Sequence, residues 1–154
     1  MIEVFGLVAW LGLSFSAALT GMWFPPDSWY AALEKPGWNP PAWIFGPVWT
    51  LLYFLMGVAA WLVWSRRGWR AHGLPLAWFL AQLALNALWT PLFFGLHNLA
   101  AALLCIILLV VAIIGTMRSF YHAGEPLAAI LLAPYLVWTS FASLLNFFLW
   151  RLNA

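Results

Sequence analysis

The chain has 154 residues, of which 66% are hydrophobic and 6% charged, with a formal net charge of +2 and a mean hydropathy of +0.95. A water-soluble domain carries about 25% charged residues, so this composition excludes a soluble fold, and without a long basic run the sequence excludes a nucleic-acid partner. What is left is a single domain built almost wholly of membrane spans.

Crossing the hydrocarbon takes about 20 apolar residues, and five such runs follow one another along the chain. The first covers about 4–24. It opens Met1-Ile2-Glu3 with no basic stretch ahead of it, and its Ser14, Ser16, Ala17, Ala18 and Gly21 suit a packed helix, so it reads as a retained span and not a cleaved leader. The connection 25–42 that follows is the long one. Asp27 is placed to cap a short helix through Ser28–Glu34, and Pro36-Gly37 stops it. Asn39-Pro40 reads as the cap and first turn of the second span. A structured loop in an otherwise economical protein suggests a lid.

The second and third spans cover about 43–64 and 74–95, the fourth about 99–120 and the fifth about 127–150. Amides and carbonyls find no partners in hydrocarbon, so these segments must be helices packed together; the short alternating strands of a barrel are missing. The fold class is therefore all-α, an integral membrane bundle of five transmembrane helices with a structured first loop. Leu99–Ile114 holds no aromatic residue and one Cys, which reads as a lipid-facing wall. Arg66, Arg67, Arg70 and Arg118 fall on the side shared with the N-terminus, against Lys35 and Arg151 opposite. The positive-inside rule then places the N-terminus in the cytoplasm, and the Arg66–Arg70 cluster near phospholipid headgroups.

The thirteen tryptophans divide into two sets. Trp23, Trp43, Trp61, Trp64, Trp69, Trp78 and Trp150 fall near span ends, where indoles favour the interface. Trp49, Trp89 and Trp138 lie deeper, and an up-down topology brings all three into the half of the membrane beneath the long loop. Gln82, Asn86 and Trp89 form one helical stripe, with Asn146 near the same membrane face. Tyr53 and Ala142 stand one turn beyond Trp49 and Trp138. Polar side chains within a span are costly unless paired or hydrated, which marks them either as candidates for a site or as hydrogen-bonding glue between helices.

Acid–base or metal chemistry has little to work with. His72, His97 and His122 occur singly in separate connections, Cys105 is isolated in mid-span, and Glu3, Asp27, Glu34 and Glu125 lie at span ends or in loops. No metal-ligand spacing is present, and no intrinsic cofactor is implied. Indoles, phenols and amides instead suit a flat, largely apolar ligand with a few hydrogen-bonding groups.

Several runs together resemble one family. They are Trp29-Tyr30-Ala31-Ala32-Leu33-Glu34-Lys35-Pro36, Trp38-Asn39-Pro40-Pro41, Gly46-Pro47-Val48-Trp49, Leu52-Tyr53, Gln82-Leu83-Ala84-Leu85-Asn86, Trp89, Phe93-Phe94-Gly95, Pro134-Tyr135-Leu136-Val137-Trp138 and Leu145-Asn146. The chain resembles the translocator protein family, also called tryptophan-rich sensory proteins or peripheral-type benzodiazepine receptors, over nearly its whole length. The resemblance implies a homodimer of five-helix subunits in a membrane, here that of a bacterial cell, and binding of porphyrins such as protoporphyrin IX. Animal relatives bind cholesterol and synthetic benzodiazepine-site ligands. Its pocket positions match Tyr30, Trp49, Tyr53, Asn86, Trp89, Trp138 and Ala142, to which Trp38 and Asn146 are added here. Some bacterial relatives degrade porphyrin in light with tryptophans that match Trp49 and Trp138, which would be catalytic only in that chemistry. Two departures are visible. Phe147 stands where the animal cholesterol motif needs a tyrosine, and the small-residue dimer stripe of the third helix is Ala77 and Ala81.

Overall fold

The computed structural model describes residues 2–154. The side chains of residues 2, 3 and 67–72 lie outside the described residues, and with them the readings of Glu3, Arg67, Trp69, Arg70 and His72. Among the described residues there are helices and no strands.

The first span is α1 (Ile2–Ser16) followed by α2 (Leu19–Trp23). The break at Ala17 and Ala18 falls after two serines that turn their hydroxyls onto their own helix, Ser14 onto the Trp10 carbonyl at 2.9 Å and Ser16 onto that of Leu13 at 2.6 Å, a habit that bends helices. In the lid, α3 (Ser28–Ala32) ends sooner than Glu34, because Leu33 turns extended at φ −60°, ψ 141°. The Asp27 carboxylate caps it as expected, accepting from the Tyr30 amide at 3.1 Å. Asn39 does not cap the second span. Pro41 is extended at φ −58°, ψ 142° and helix begins at Ala42, since a residue that precedes proline is barred from helical geometry and two prolines in a row delay the start.

The second and third spans lie in one helical element, α4 (Ala42–Thr90). Straight, its 49 residues would reach about 70 Å, more than twice the hydrocarbon thickness. Tyr53 and Asn86 are nevertheless hydrogen-bonded at 2.9 Å, so the element doubles back and its halves run antiparallel. A π-helical turn, Pro91–Gly95, completes the third span; Pro91 offers no amide to the preceding turn, and the Leu96 N–H closes the wider ring onto the Pro91 carbonyl at 2.8 Å. The fourth span is α5 (Leu99–His122), and the fifth is α6 (Pro126–Leu131) and α7 (Ala133–Asn153). The five stretches long and apolar enough to cross a membrane are Val4–Trp23, Ala42–Arg66, Gly73–Gly95, Leu99–His122 and Pro126–Asn153.

Helix α1 packs between the halves of α4. A Cβ on Gly57 in the first half would lie 2.8 Å from the Leu11 Cα, while Trp10 sets its ring edge-on to Phe79 of the second half at 5.7 Å. Helix α5 is no outer wall, which corrects the sequence reading. Its Leu99, Ala102, Cys105, Ile106, Leu109, Ala112, Ile113, Thr116 and Phe120 are buried against α4, α6 and α7, and only the Leu104–Leu108–Val111 side is open to lipid. Uniform apolarity conceals which face is inside. At one end Arg66 reaches Glu125 at 3.1 Å, tying the second-to-third junction to the fourth-to-fifth. At the other end, the lid meets His97 and Asn153.

Candidate functional site

The backbones of α7 and the first half of α4 hardly approach each other, and aromatic rings span the interval. Trp49 stacks on Tyr53 one turn along its own helix, with ring centres 5.4 Å apart, and meets Tyr135 of α7 edge-on at 6.2 Å. One turn nearer the lid, Phe45 meets Trp138 at 5.7 Å. Trp138 leans on Phe141 at 5.6 Å, and the lid residue Trp38 closes over Phe141 and Phe148 at 5.7 and 5.5 Å. Each such pairing is worth about 0.5–1.5 kcal/mol beyond the area it buries.

The third helix supplies the polar floor. Asn86 accepts from the Tyr53 hydroxyl at 2.9 Å and donates to the Tyr135 hydroxyl at 3.0 Å, joining both halves of α4 to α7 through one amide. One turn on, the Trp89 indole N–H donates to Asn146 at 3.1 Å, and Asn146 donates to the Leu99 carbonyl at 3.0 Å. The Trp89 ring lies on Phe93 at 4.8 Å, and Tyr30 of the lid meets Phe93 and Phe94 at 6.0 and 5.4 Å. Ala142 is half-buried at the edge of the main apolar core.

Of the nine residues singled out from the sequence, all but Ala142 fall into three groups. Trp49, Tyr53 and Asn86 share Tyr135; Trp138 and Trp38 share Phe141; Trp89 and Asn146 bond directly, with Tyr30 above them through Phe93. Trp49, Trp89 and Trp138 each pack on other rings, and none stacks on another of the three. Sequence reasoning missed Tyr135, which is fully buried, although it sits three residues before Trp138 on the same face. Phe45 and Phe141 went unnoticed because an apolar ring in an apolar run carries no signal, and Phe93 was noticed only within the Phe93-Phe94-Gly95 run and not as a site residue.

Five buried polar side-chain atoms among the described residues have no hydrogen-bond partner: the Asn39 side-chain oxygen in the lid, the Trp138 indole nitrogen, the Thr139 hydroxyl and both ends of the Gln82 amide. An unpaired buried polar group costs about 1–3 kcal/mol, so such atoms mark places where something polar is accommodated. Gln82 sits one turn below Asn86 and Thr139 one turn beyond Tyr135, on the two stripes joined by the Asn86–Tyr135 bond.

The lid borders this arrangement. Asp27, besides capping α3, faces the His97 imidazole at 3.1 Å, and Trp29 stacks on that imidazole at 4.2 Å. The Tyr30 amide, and secondarily His97, hold the Asp27 carboxyl below its usual range, while burial pushes the Tyr30 phenol up. His97 carries a φ of 52°, a left-handed conformation uncommon outside glycine. Lys35 turns back onto the lid: its amine donates to the Ala31 and Leu33 carbonyls at 3.2 and 3.0 Å and lies 4.8 Å from the Tyr30 ring centre.

The fold defines an all-helical integral membrane protein of five spans, with a candidate site of aromatic rings and amides and, among the described residues, no group of three His, Cys, Asp or Glu placed to hold a metal. Comparison with known proteins narrows the class. The model of the TspO/MBR family matches residues 4–151, and the chain belongs to that family. It is 44% identical to the tryptophan-rich protein TspO of Archaeoglobus fulgidus over 99% of both chains. It is 45% identical to the tryptophan-rich sensory protein of Cereibacter sphaeroides over 88% of this chain and 84% of the other. It is 44% identical to the human translocator protein over 81% and 75%. The names of the last two describe sensing and translocation.

Proposed function

We propose that this chain is a binding protein that takes up flat, largely apolar molecules between α7 and the two halves of α4, under the lid, and passes them on or reports their abundance. Porphyrins such as protoporphyrin IX are the first ligand class, followed by sterol-like and benzodiazepine-site molecules. The observation that carries this reading is the interval between the first half of α4 and α7 that the Phe45–Trp138 and Trp49–Tyr135 ring contacts bridge, with the Trp138 N–H buried at its side and unpartnered. Ring contacts of this kind can part to admit another aromatic plane, and the free N–H then gains an acceptor. The N-terminus is cytoplasmic and the membrane that of a bacterial cell. Ala77 and Ala81 are both exposed on one face of α4, which suits a homodimer through the third span, because small residues let helix backbones approach.

Titrating the purified protein with protoporphyrin IX tests this reading. Intrinsic tryptophan fluorescence is expected to quench strongly in the wild type and less in Trp138→Ala. Equal quenching in both would remove Trp138 from the site. Cross-linking across Ala77→Cys in a membrane tests the dimer; a monomer only would exclude it.

The stack of Trp49 on Tyr53, with Tyr135 against its edge, supports a second reading, in which Trp49 and Trp138 exchange electrons with a light-excited porphyrin and the tetrapyrrole is degraded. Illumination of the complex decides between them. An absorption spectrum that stays constant while ligand remains bound excludes the photochemical reading.

A further inference from the structure

The lid makes its polar contacts with the rest of the protein at two places. At its start, Asp27 and Trp29 engage His97 at 3.1 and 4.2 Å. At its end, the side-chain amide of Asn153 bonds both backbone groups of Glu34: the Glu34 N–H donates to Asn153 Oδ1 at 2.9 Å, and Asn153 Nδ2 donates to the Glu34 carbonyl at 2.9 Å. This pair copies the hydrogen bonds of a neighbouring strand, and it joins positions 119 residues apart. Asn153 Nδ2 also reaches the Leu149 carbonyl on its own helix at 2.9 Å, which fixes the amide in the orientation that Glu34 requires. Between the two catches lies a cleft of about 340 Å³ walled by Trp29, Leu33, His97, Trp150 and Asn153, beside the packing of Trp29, Tyr30 and Leu33 on the cluster of Phe93, Leu99 and Leu149.

We propose that Asn153 is the catch of the lid: its amide, by holding the Glu34 peptide, sets how often residues 28–38 lift away and hence how fast a ligand enters and leaves. Two observations favour Asn153 over Asp27 as the dedicated catch. Both partners at Glu34 are backbone groups, so the catch works whatever side chain stands at position 34. The Asp27 carboxylate caps α3 through Oδ1 while its Oδ2 faces His97, so it serves the lid helix as well as the contact, whereas Asn153 can be released or replaced with that helix left whole. The Glu34–Asn153 bonds, like the Asp27–His97 contact, are exposed, so water can replace them during opening. Helix α7 carries the catch, the Phe141 and Phe148 seat of Trp38, and Trp138, so one rigid element links the lid to the site.

This inference rests on the proposal that ligands bind beneath the lid, but its first test needs no ligand. Amide hydrogen exchange of the full chain in lipid nanodiscs is expected to speed up over residues 28–38 by roughly tenfold to a hundredfold in Asn153→Ala, as two hydrogen bonds are lost, with α5 unchanged. Asn153→Asp keeps the acceptor for the Glu34 N–H, loses the donor and falls between. Equal lid exchange in all three proteins, with helicity intact, would overturn the catch. In stopped-flow mixing with protoporphyrin IX, association and dissociation should both accelerate in Asn153→Ala; a faster-exchanging lid with unaltered ligand rates would overturn its role in entry.

Discussion

Asn86→Leu is the most informative perturbation of the polar floor. It deletes two hydrogen bonds, from the Tyr53 hydroxyl at 2.9 Å and to the Tyr135 hydroxyl at 3.0 Å, and strands both hydroxyls in side chains 6% and 0% exposed. Interhelical hydrogen bonds in a bilayer average about 0.6 kcal/mol each with a maximum near 1.7, so the single variant should lose about 1–3 kcal/mol. The cause is polar atoms left without partners, so removing the partners should restore stability. The triple variant Asn86→Leu, Tyr53→Phe, Tyr135→Phe has no orphaned hydroxyl, and is expected to be more stable than Asn86→Leu although it carries more substitutions. Unfolding in mixed micelles by increasing sodium dodecyl sulfate, followed by circular dichroism, measures both. A triple variant less stable than the single would refute the reasoning, since the amide would then act through shape and not through hydrogen bonding.

Three further outcomes are expected. Gly57→Ala should destabilise by about 1–3 kcal/mol through overpacking, because the new methyl meets the Leu11 backbone, whereas Gly12→Ala, with nothing within 4 Å, should be neutral or stabilising; the same micelle titration compares them. Gln82→Leu removes an amide with no partner at either end and should stabilise the ligand-free protein by about 1 kcal/mol or more, while a loss of stability would show that the amide is satisfied. Below the usual range of a carboxylate, Asp27 loses its charge. Its folded-state value is lowered from 3.8, so its support of α3 is complete above that value and is lost as the pH falls through the lower folded one. Exchange at the Tyr30 amide should rise in that window, and Asp27→Asn, which caps without titrating, should show no such rise.

Much of the architecture is legible in the residues. Spans of about 20 apolar residues, the cap at Asp27 and the stripe Gln82–Asn86–Trp89 follow from hydropathy, side-chain chemistry and helical period, and the structure places helices at those spans and the cap bond at 3.1 Å. Local geometry was less legible where neighbouring residues compete. Two prolines moved the start of the second span from Asn39 to Ala42, and serine hydroxyls broke the first span at Ala17. Helix α5 shows the limit most clearly. Leu99–Ile114 is apolar all round, so its periodicity points to no face, and only the packing of α4, α6 and α7 reveals that it is central.

Composition and order of residues by themselves determined that this protein has five helices able to cross a membrane, that its long first connection is structured, and that its spans carry rings and amides, because each of these is a property of one segment and its solvent. Tertiary structure alone decided which groups meet: Asn86 between Tyr53 and Tyr135, Trp89 on Asn146, Trp138 on Phe45, Glu34 on Asn153. Those pairs join positions 33 to 119 residues apart, and within a bilayer, where every helix is apolar outside, partner choice depends on side-chain fit and hydrogen bonding across helices and not on hydrophobicity.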